Sequence, residues 1–417
     1  MTPRMAEMLT MPGVDSDAIS DFYTRHPYPP PVENLDRALD EWRATGRERA
    51  EFHLYWPNQT FRRNLDILVA GCGTWQAAKY ALCRREARVV AIDVSASSIT
   101  ETAKLKKKYA LDNLELHQVP IESVAMLGRD FDLVICTGVL HHLANPDAGL
   151  VALRAVMRPG GALYLMVYAP HGRAGIYLLQ EYCRRIGIGT SEGDIHDLAA
   201  TLDALPPQHP FAPTLRRSRD ASSPAGLADA LLNPRERAYS VPQLLEFLDR
   251  GGLRFGRWYW QAPYLPSCGA IAVTAHAARL TGLAACDQHA AMELWRGSMS
   301  THSVIAYRAD TTVEIESGIS GDGWGDRIPL RLPWTRIVEE RLPAGIAGVL
   351  VNRSHPYQDL FVPLRSVERR MFECIDGKRS IAQLAADAGA KDAERVHAFF
   401  VSLWRHDHVV FGGAHPG

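Results

Sequence analysis

The sequence lacks a surplus of charge of either sign: 46 Lys plus Arg stand against 47 Asp plus Glu, a net charge of −1. It therefore offers no global field for holding a polyanion or an anionic membrane, and nucleic acid is disfavoured as a partner. It also lacks cysteine pairs. The seven cysteines form no C-x-x-C motif and leave an odd one over, against both a zinc knuckle and a secreted disulfide framework. A long apolar run is missing as well: the stretch Cys268 to Cys286 is interrupted by His276 and Arg279, and Met1 to Val14 shows no apolar signal core. The expectation is a cytoplasmic protein that folds around a core and makes no membrane span. At 417 residues, the length suggests more than one domain.

Organisation changes along the chain. Residues 1–60 read as an irregular N-terminal arm or lid. In it the aromatic and proline cluster Phe22, Tyr23, His26, Pro27, Tyr28, Pro29, Pro30 and Pro31 is expected to form neither helix nor central strand. From Asp66, short apolar runs at 67–70, 89–94, 114–119, 131–137 and 162–168 alternate with helical-period segments at 76–85, 97–109, 146–157 and 174–186. Such alternation predicts an α/β domain with a doubly wound, mostly parallel sheet. Prolines break 187–240 into short helices, a helical insertion, and further strands are expected at 255–260 and 303–308. The predicted domains are the arm, a main domain over 61–310, and a small accessory α+β domain over 311–417 that resembles a winged helix. With acidic residues interleaved among its basic ones, that last part is read as a protein-interaction or homodimerisation module.

Chemistry concentrates where the first strand runs into Gly71-Cys72-Gly73-Thr74 and then a helix. A backbone that turns tightly beneath a ligand needs glycine there. Twenty residues beyond Gly73, the second strand ends in Asp93, placed to accept two ribose hydroxyls, although it could instead cap the following helix. A dinucleotide fingerprint wants a third small residue where Gln76 stands, and the Gly-Lys-Ser/Thr of a P-loop is absent. An adenosine ligand without phosphates, S-adenosyl-L-methionine, meets these constraints.

Four ordered motifs carry a family likeness: Ile67-Leu68-Val69-Ala70-Gly71-Cys72-Gly73-Thr74, Ala91-Ile92-Asp93-Val94-Ser95, Phe131 to Val134 with Gly138-Val139-Leu140-His141-His142-Leu143, and Arg158-Pro159-Gly160-Gly161. Together they resemble class I, Rossmann-like S-adenosylmethionine-dependent methyltransferases, of the type 11/12 kind. The resemblance implies a seven-stranded sheet whose last strand is antiparallel. It implies cofactor contacts from Ala70, Gly71, Cys72, Gly73, Gln76, Asp93, Val94, Pro120, Ile121, Glu122, Thr137, Gly138, Val139 and His142. Asp93 would hold the ribose, Ile121 and Glu122 the adenine, and Thr137 to Val139 would lie below the sulfonium. Trp75 replaces a common third glycine and Pro120 a common Asp. The indole is read as a packing residue, the alternative being a narrowed cleft.

An activated methyl needs alignment and dryness more than a metal or a covalent nucleophile, and an acceptor that must lose a proton needs a base. No metal is expected. His141, His26 and Tyr23 are the catalytic candidates, set against plain structural roles for the two histidines and plain packing for the arm. Leu178, Leu179, Tyr182, Phe211, Trp258 and Trp260 are candidates for an apolar acceptor surface. The reading is a methyltransferase acting on O, N or C of a small molecule. Its alternatives are an RNA, peptide or protein methyltransferase that uses the C-terminal domain as a handle, and a non-catalytic cofactor-binding scaffold.

Overall fold

The computed structural model describes residues 16–45, 47–57, 59–217, 223–311, 319 and 321–412. The expectation for Met1 to Val14 lies outside the described residues. By their contacts they group into two compact units: 1–39, 63–255 and 297–311 in one, and 40–62, 256–296 and 312–417 in the other.

The first unit opens with helix α1 (Ser16–Arg25), and helix α2 (Asp36–Thr45) begins at its edge. Alternating strands and helices follow: β1 (Asp66–Ala70), α4 (Gln76–Cys83), β2 (Arg88–Asp93), α5 (Ala96–Lys108), β3 (Leu114–Gln118), β4 (Phe131–Thr137), α6 (Pro146–Ala155) and β5 (Met157–Tyr168). α3 (Arg47–Tyr55) falls in the second unit. α7 (Ala174–Ile186) follows β5, and the insertion supplies α8 (Glu192–Leu202), α9 (Ala212–Arg217) and α10 (Pro224–Leu232), before α11 (Val241–Arg250), β6 (Leu253–Trp258) and β7 (Thr301–Arg308). The sheet has seven strands in the order β3-β2-β1-β4-β5-β7-β6. β1 pairs in parallel with both β2 and β4, and β7 runs antiparallel to β5. Ile67, Leu68, Val69, Val89, Ile92, Val134 and Ile135 are buried, as near-continuous apolar strands covered on both faces must be. The order reverses between β1 and β4, and α/β folds bind ligands at the carboxyl ends of strands beside such a reversal.

Caps set the helix starts. Ser95 accepts from Ser98 N at the head of α5, Asn145 from Ala148 N at the head of α6, and Ser223 from Gly226 N at the head of α10. At the opposite edge of the sheet, Arg158 bonds Asp132 at 2.9 Å and Asp66 at 2.5 Å. One guanidinium thus ties the starts of β1, β4 and β5.

The expected irregular arm is corrected. Residues 16–25, 36–45 and 47–55 are helical, and Phe22 and Tyr23 sit inside α1. Proline restricts only the residue before it, so a helix can run to Arg25 and stop ahead of His26-Pro27.

The second unit carries β8 (Ile328–Arg331), β9 (Thr335–Val338), β10 (Gly348–Asn352), β11 (Phe361–Leu364), three helices at Ser366–Glu373, Ile381–Asp387 and Ala393–Arg405, and β12 (Val409–Gly412). β9, β10 and β11 form one antiparallel sheet, and β12 returns to pair with β8. Its core joins Leu350, Leu364, Phe372, Ile381, Leu384, Phe400 and Leu403. The contact grouping crosses the domain limits expected at 60 and 310: α3 enters this unit with Phe52 and Leu54 buried, and Gln261 Nε2 donates to Trp404 O at 2.8 Å. Among the described residues no helix is long and apolar enough to cross a membrane.

Within this unit, burial and then the neighbouring Arg296 push His355 from its ordinary 6.5 down to about 4. Below about pH 6.5 the unfolded chain takes up a proton that the folded site refuses, so stability present above that pH is lost as pH falls toward 4. His355→Gln is expected to flatten the fall in urea stability between about pH 7 and about pH 4.5 by on the order of 2–3 kcal/mol. Equal slopes in parent and variant would contradict this account.

Candidate functional site

The turn after β1 holds Gly71 at φ +71° and Gly73 at φ +56°, a left-handed backbone that favours glycine. A Cβ on Gly71 would lie 2.3 Å from Val139 Cγ2, and one on Gly73 would lie 3.0 Å from Pro29 Cδ. Gly71 N and Cys72 N both donate to Ile92 O, at 2.9 and 3.0 Å. Asp93 closes the arrangement: its Oδ2 accepts from Gly73 N and its Oδ1 from Ser95 N, each at 2.9 Å. The helix cap is Ser95 itself. Burial pushes the Asp93 carboxyl above its ordinary range, while the backbone donors act the other way. Thr74 Oγ1 donates to Pro29 O at 2.7 Å, and Gln76 Nε2 to Thr137 Oγ1 at 2.8 Å.

These groups border a cleft of about 650 Å³. Of the expected cofactor residues, Gly71, Cys72, Gly73, Gln76, Asp93, Val94, Pro120, Ile121, Glu122, Thr137, Gly138, Val139 and His142 line it, and Ala70 does not. Trp75 lines it too, half-buried, with Lys79 Nζ 5.3 Å from the ring centre. The indole is therefore a cleft wall rather than helix packing, because it stands at the N-cap of α4, ahead of the face that buries Ala77, Ala78 and Ala81.

The far end of the cleft is polar and enclosed. Tyr23 OH donates to Asp229 Oδ1 at 2.8 Å and accepts from Asn233 Nδ2 at 2.9 Å, and Tyr168 OH donates to Asp229 Oδ2 at 3.3 Å. Burial and then the Asp229 charge push both phenols well above their ordinary range, so each stays a donor. Arg173 forks onto Glu236 at 3.1 and 2.7 Å and lies 3.5 Å from the Tyr168 ring centre.

The two adjacent histidines part company. His142 lines the cleft; its Nδ1 bonds Arg235 O at 2.6 Å, and its buried Nε2 has no partner. A carbonyl only accepts, so Nδ1 carries the proton and Nε2 presents a lone pair. His141 is fully buried away from the cleft lining, with its ring centre 3.9 Å from that of Tyr168. Burial, then His142 and Arg173, push it well below the ordinary imidazole range. His26 does not line the cleft either, its ring standing 5.3 Å from that of Phe22, whereas Tyr23 does.

The expected apolar acceptor surface is corrected in part. Phe211 lines the cleft and Leu179 is buried beside it in the insertion core. Leu178 and Tyr182 are exposed on the outer side of α7. Trp258 stacks on Tyr264 at 4.0 Å and Trp260 meets Trp334 edge-on at 4.3 Å, both within the second unit. Sequence reasoning missed Tyr168, Arg173, Asp229 and Arg235. One signal was present: Asp229 is the lone charged residue of the apolar helix Pro224–Leu232.

Gly71→Ala combines a left-handed φ with a clash against Val139, and is expected to cost about 1–3 kcal/mol in urea unfolding. Adding Val139→Ala should return the steric part. A double variant no more stable than Gly71→Ala would show that Val139 does not set the limit.

Residues 68–165 match the family described as a methyltransferase domain. The chain is 31% identical to an uncharacterized protein of Synechococcus over 261 residues, 60% of this chain and 62% of that one. It is 30% identical to the tRNA 5-carboxymethoxyuridine methyltransferase of Escherichia coli over 158 residues, 37% of this chain and 57% of that one. The matched part thus spans less than two thirds of each of these relatives. PKMT2 from Rickettsia typhi superimposes with a TM-score of 0.62 at 16% identity, covering 92% of this chain and 76% of that one; its structure in complex with AdoHcy gives a TM-score of 0.61. From β1 to β5 the chain therefore carries a methyltransferase domain, set in the seven-stranded Rossmann-like fold of the S-adenosylmethionine-dependent class.

Proposed function

We propose that this protein transfers the methyl group of S-adenosyl-L-methionine to an O, N or C atom of a small-molecule acceptor. The observation that carries the reading is one continuous cleft, running from the Asp93 carboxylate past Thr137–Val139 to His142 and Asp229. The residues present fit the cofactor. Asp93 spends one lone pair of each oxygen on backbone donors and keeps the others for a ribose diol. Pro120, Ile121 and Glu122 would hold the adenine and the Gly71–Gly73 turn the amino-acid end, all of them lining the cleft. When bound, the cofactor supplies a methyl group already activated by a sulfonium.

The chain's own residues then align the acceptor, exclude water and take a proton. Ile176 from α7 and Phe211 from the insertion, with Tyr23 from α1, wall the acceptor end, and alignment of this kind supplies roughly 7–11 kcal/mol of barrier lowering. His142 is the histidine of this lining, and the acceptor's proton is assigned to it. Tyr23 keeps its own proton and positions. His141 and His26, outside the lining, have no chemical part. A cleft of about 650 Å³ lies within the range of small-ligand sites, and the net charge of −1 supports a small acceptor over RNA. Seven free thiols suit a reducing cytoplasm.

Calorimetry with S-adenosylhomocysteine tests the cofactor half. Asp93→Ala is expected to weaken binding at least about tenfold, the loss of hydrogen bonds to a charged group, and unchanged affinity would remove the assignment. For the base, His142→Gln is expected to slow methyl transfer about 10²–10⁴-fold while leaving cofactor affinity within a few-fold. An undiminished rate would place proton removal elsewhere.

A further inference from the structure

Two opposite charges line the acceptor end without meeting each other. Asp229 is 4% exposed and lines the cleft, yet among the described residues it has no ion-pair partner; two phenols hold it instead. A carboxylate has about four acceptor positions, so two remain open. Arg235 lines the same cleft. Its backbone is engaged, the N–H donating to Asn233 Oδ1 at 3.1 Å and the carbonyl accepting from His142, while among the described residues its guanidinium has no partner. The contrast is Arg173, which is neutralised by Glu236 within the same wall.

The carboxylate and the backbone that carries the guanidinium are also linked. Asp229 bonds Tyr23, Tyr23 bonds Asn233, Asn233 takes the Arg235 N–H, and the Arg235 carbonyl takes His142. One chain of hydrogen bonds thus fixes carboxylate, guanidinium backbone and free imidazole nitrogen together. A buried carboxylate without a counter-charge is costly, and a lining that offers two opposite charges not paired with each other is complementary to a ligand that carries both signs.

Resting on the methyltransferase reading, we propose that the acceptor is a small zwitterion, its cationic nitrogen docking on Asp229 and its anionic group on Arg235. The amino-acid end of the cofactor has the same chemistry, so the test must separate the two. The full chain is incubated with cofactor labelled in its methyl group and a small-molecule extract, and the labelled product is sorted by charge. The expected product is retained by a cation exchanger in acid and by an anion exchanger in base. Asp229→Asn and Arg235→Gln are each expected to raise the KM for that acceptor about ten- to hundredfold, to change kcat much less, and to leave S-adenosylhomocysteine affinity within about threefold.

A labelled product that carries only one charge sign, or is uncharged, overturns the proposal, as does label that enters macromolecules but no small molecule when whole extract replaces the small-molecule fraction. A tenfold loss of S-adenosylhomocysteine affinity in either variant also overturns it, assigning the two charges to the cofactor. Failure of the parent chain to bind S-adenosylhomocysteine, or cofactor binding with no labelled product, would remove the methyltransferase reading itself, an outcome distinct from the other three. Urea midpoints of both variants identify any loss that is merely of folding.

Discussion

The Asp93 carboxylate is the constraint on which the rest of the cleft depends. It stands at the end of β2 but holds the amide of Gly73, beyond the end of β1, as well as that of Ser95 at the head of α5. Hydrogen bonds to a charged group contribute about 1.5–3 kcal/mol each, enough to keep a turn with two left-handed residues in one conformation. The missing side chain at Gly71 then lets the Val139 methyls close against the same turn. Three strand ends, β1, β2 and the loop after β4, are drawn to one point by a carboxylate and an absent Cβ. The cleft is the space left between them.

The other end obeys a different logic. No strand end supplies Tyr23, Asp229, Asn233 or Arg235; they come from α1 and from α10 with the segment that follows it. Ser95 and Ser97 both donate to Tyr23 O at 3.2 Å, so the head of α5 anchors the C-terminal part of α1 as well. Tyr23 therefore connects the Asp93 corner to the Asp229 corner, its backbone to one and its hydroxyl to the other. The two ends of the cleft are thus linked through one residue of α1.

How much of this was legible follows from the range of the interactions. The sheet could be read because each strand and its following helix announce themselves within a dozen residues, and β1 with its glycines and β2 with its Asp are a local pattern of that kind. α1 was not legible, since Pro27 and Pro29 to Pro31 dominate the window around Phe22 and Tyr23 although they act only beyond Arg25. Trp75 was misread because an aromatic on a helix usually packs, whereas at the N-cap it faces the opening. Trp258 and Trp260 lie two residues apart in sequence, at the end of a strand and just beyond it, and nothing local tells that they belong with Tyr264 and Trp334. Arg173, Asp229 and Arg235 were invisible for a stronger reason: their meaning is relational, one charge paired and two not, and the Arg173 pairing joins residues 63 apart in sequence.

The histidine pair shows how fine that long-range control is. His141 and His142 share a motif, a turn and nearly the same composition of neighbours, and sequence alone favours neither. The segment after α10 decides between them. Arg237 N donates to His141 O at 2.9 Å while Arg235 O receives His142 Nδ1, so the one residue is engaged through its backbone and the other through its ring. The first imidazole is left to press on Tyr168 in a place where it cannot hold a charge. The second has its tautomer set by a carbonyl and its other nitrogen turned free within the lining. The difference between the two rings is therefore set by the segment after α10 rather than by the motif in which they are written.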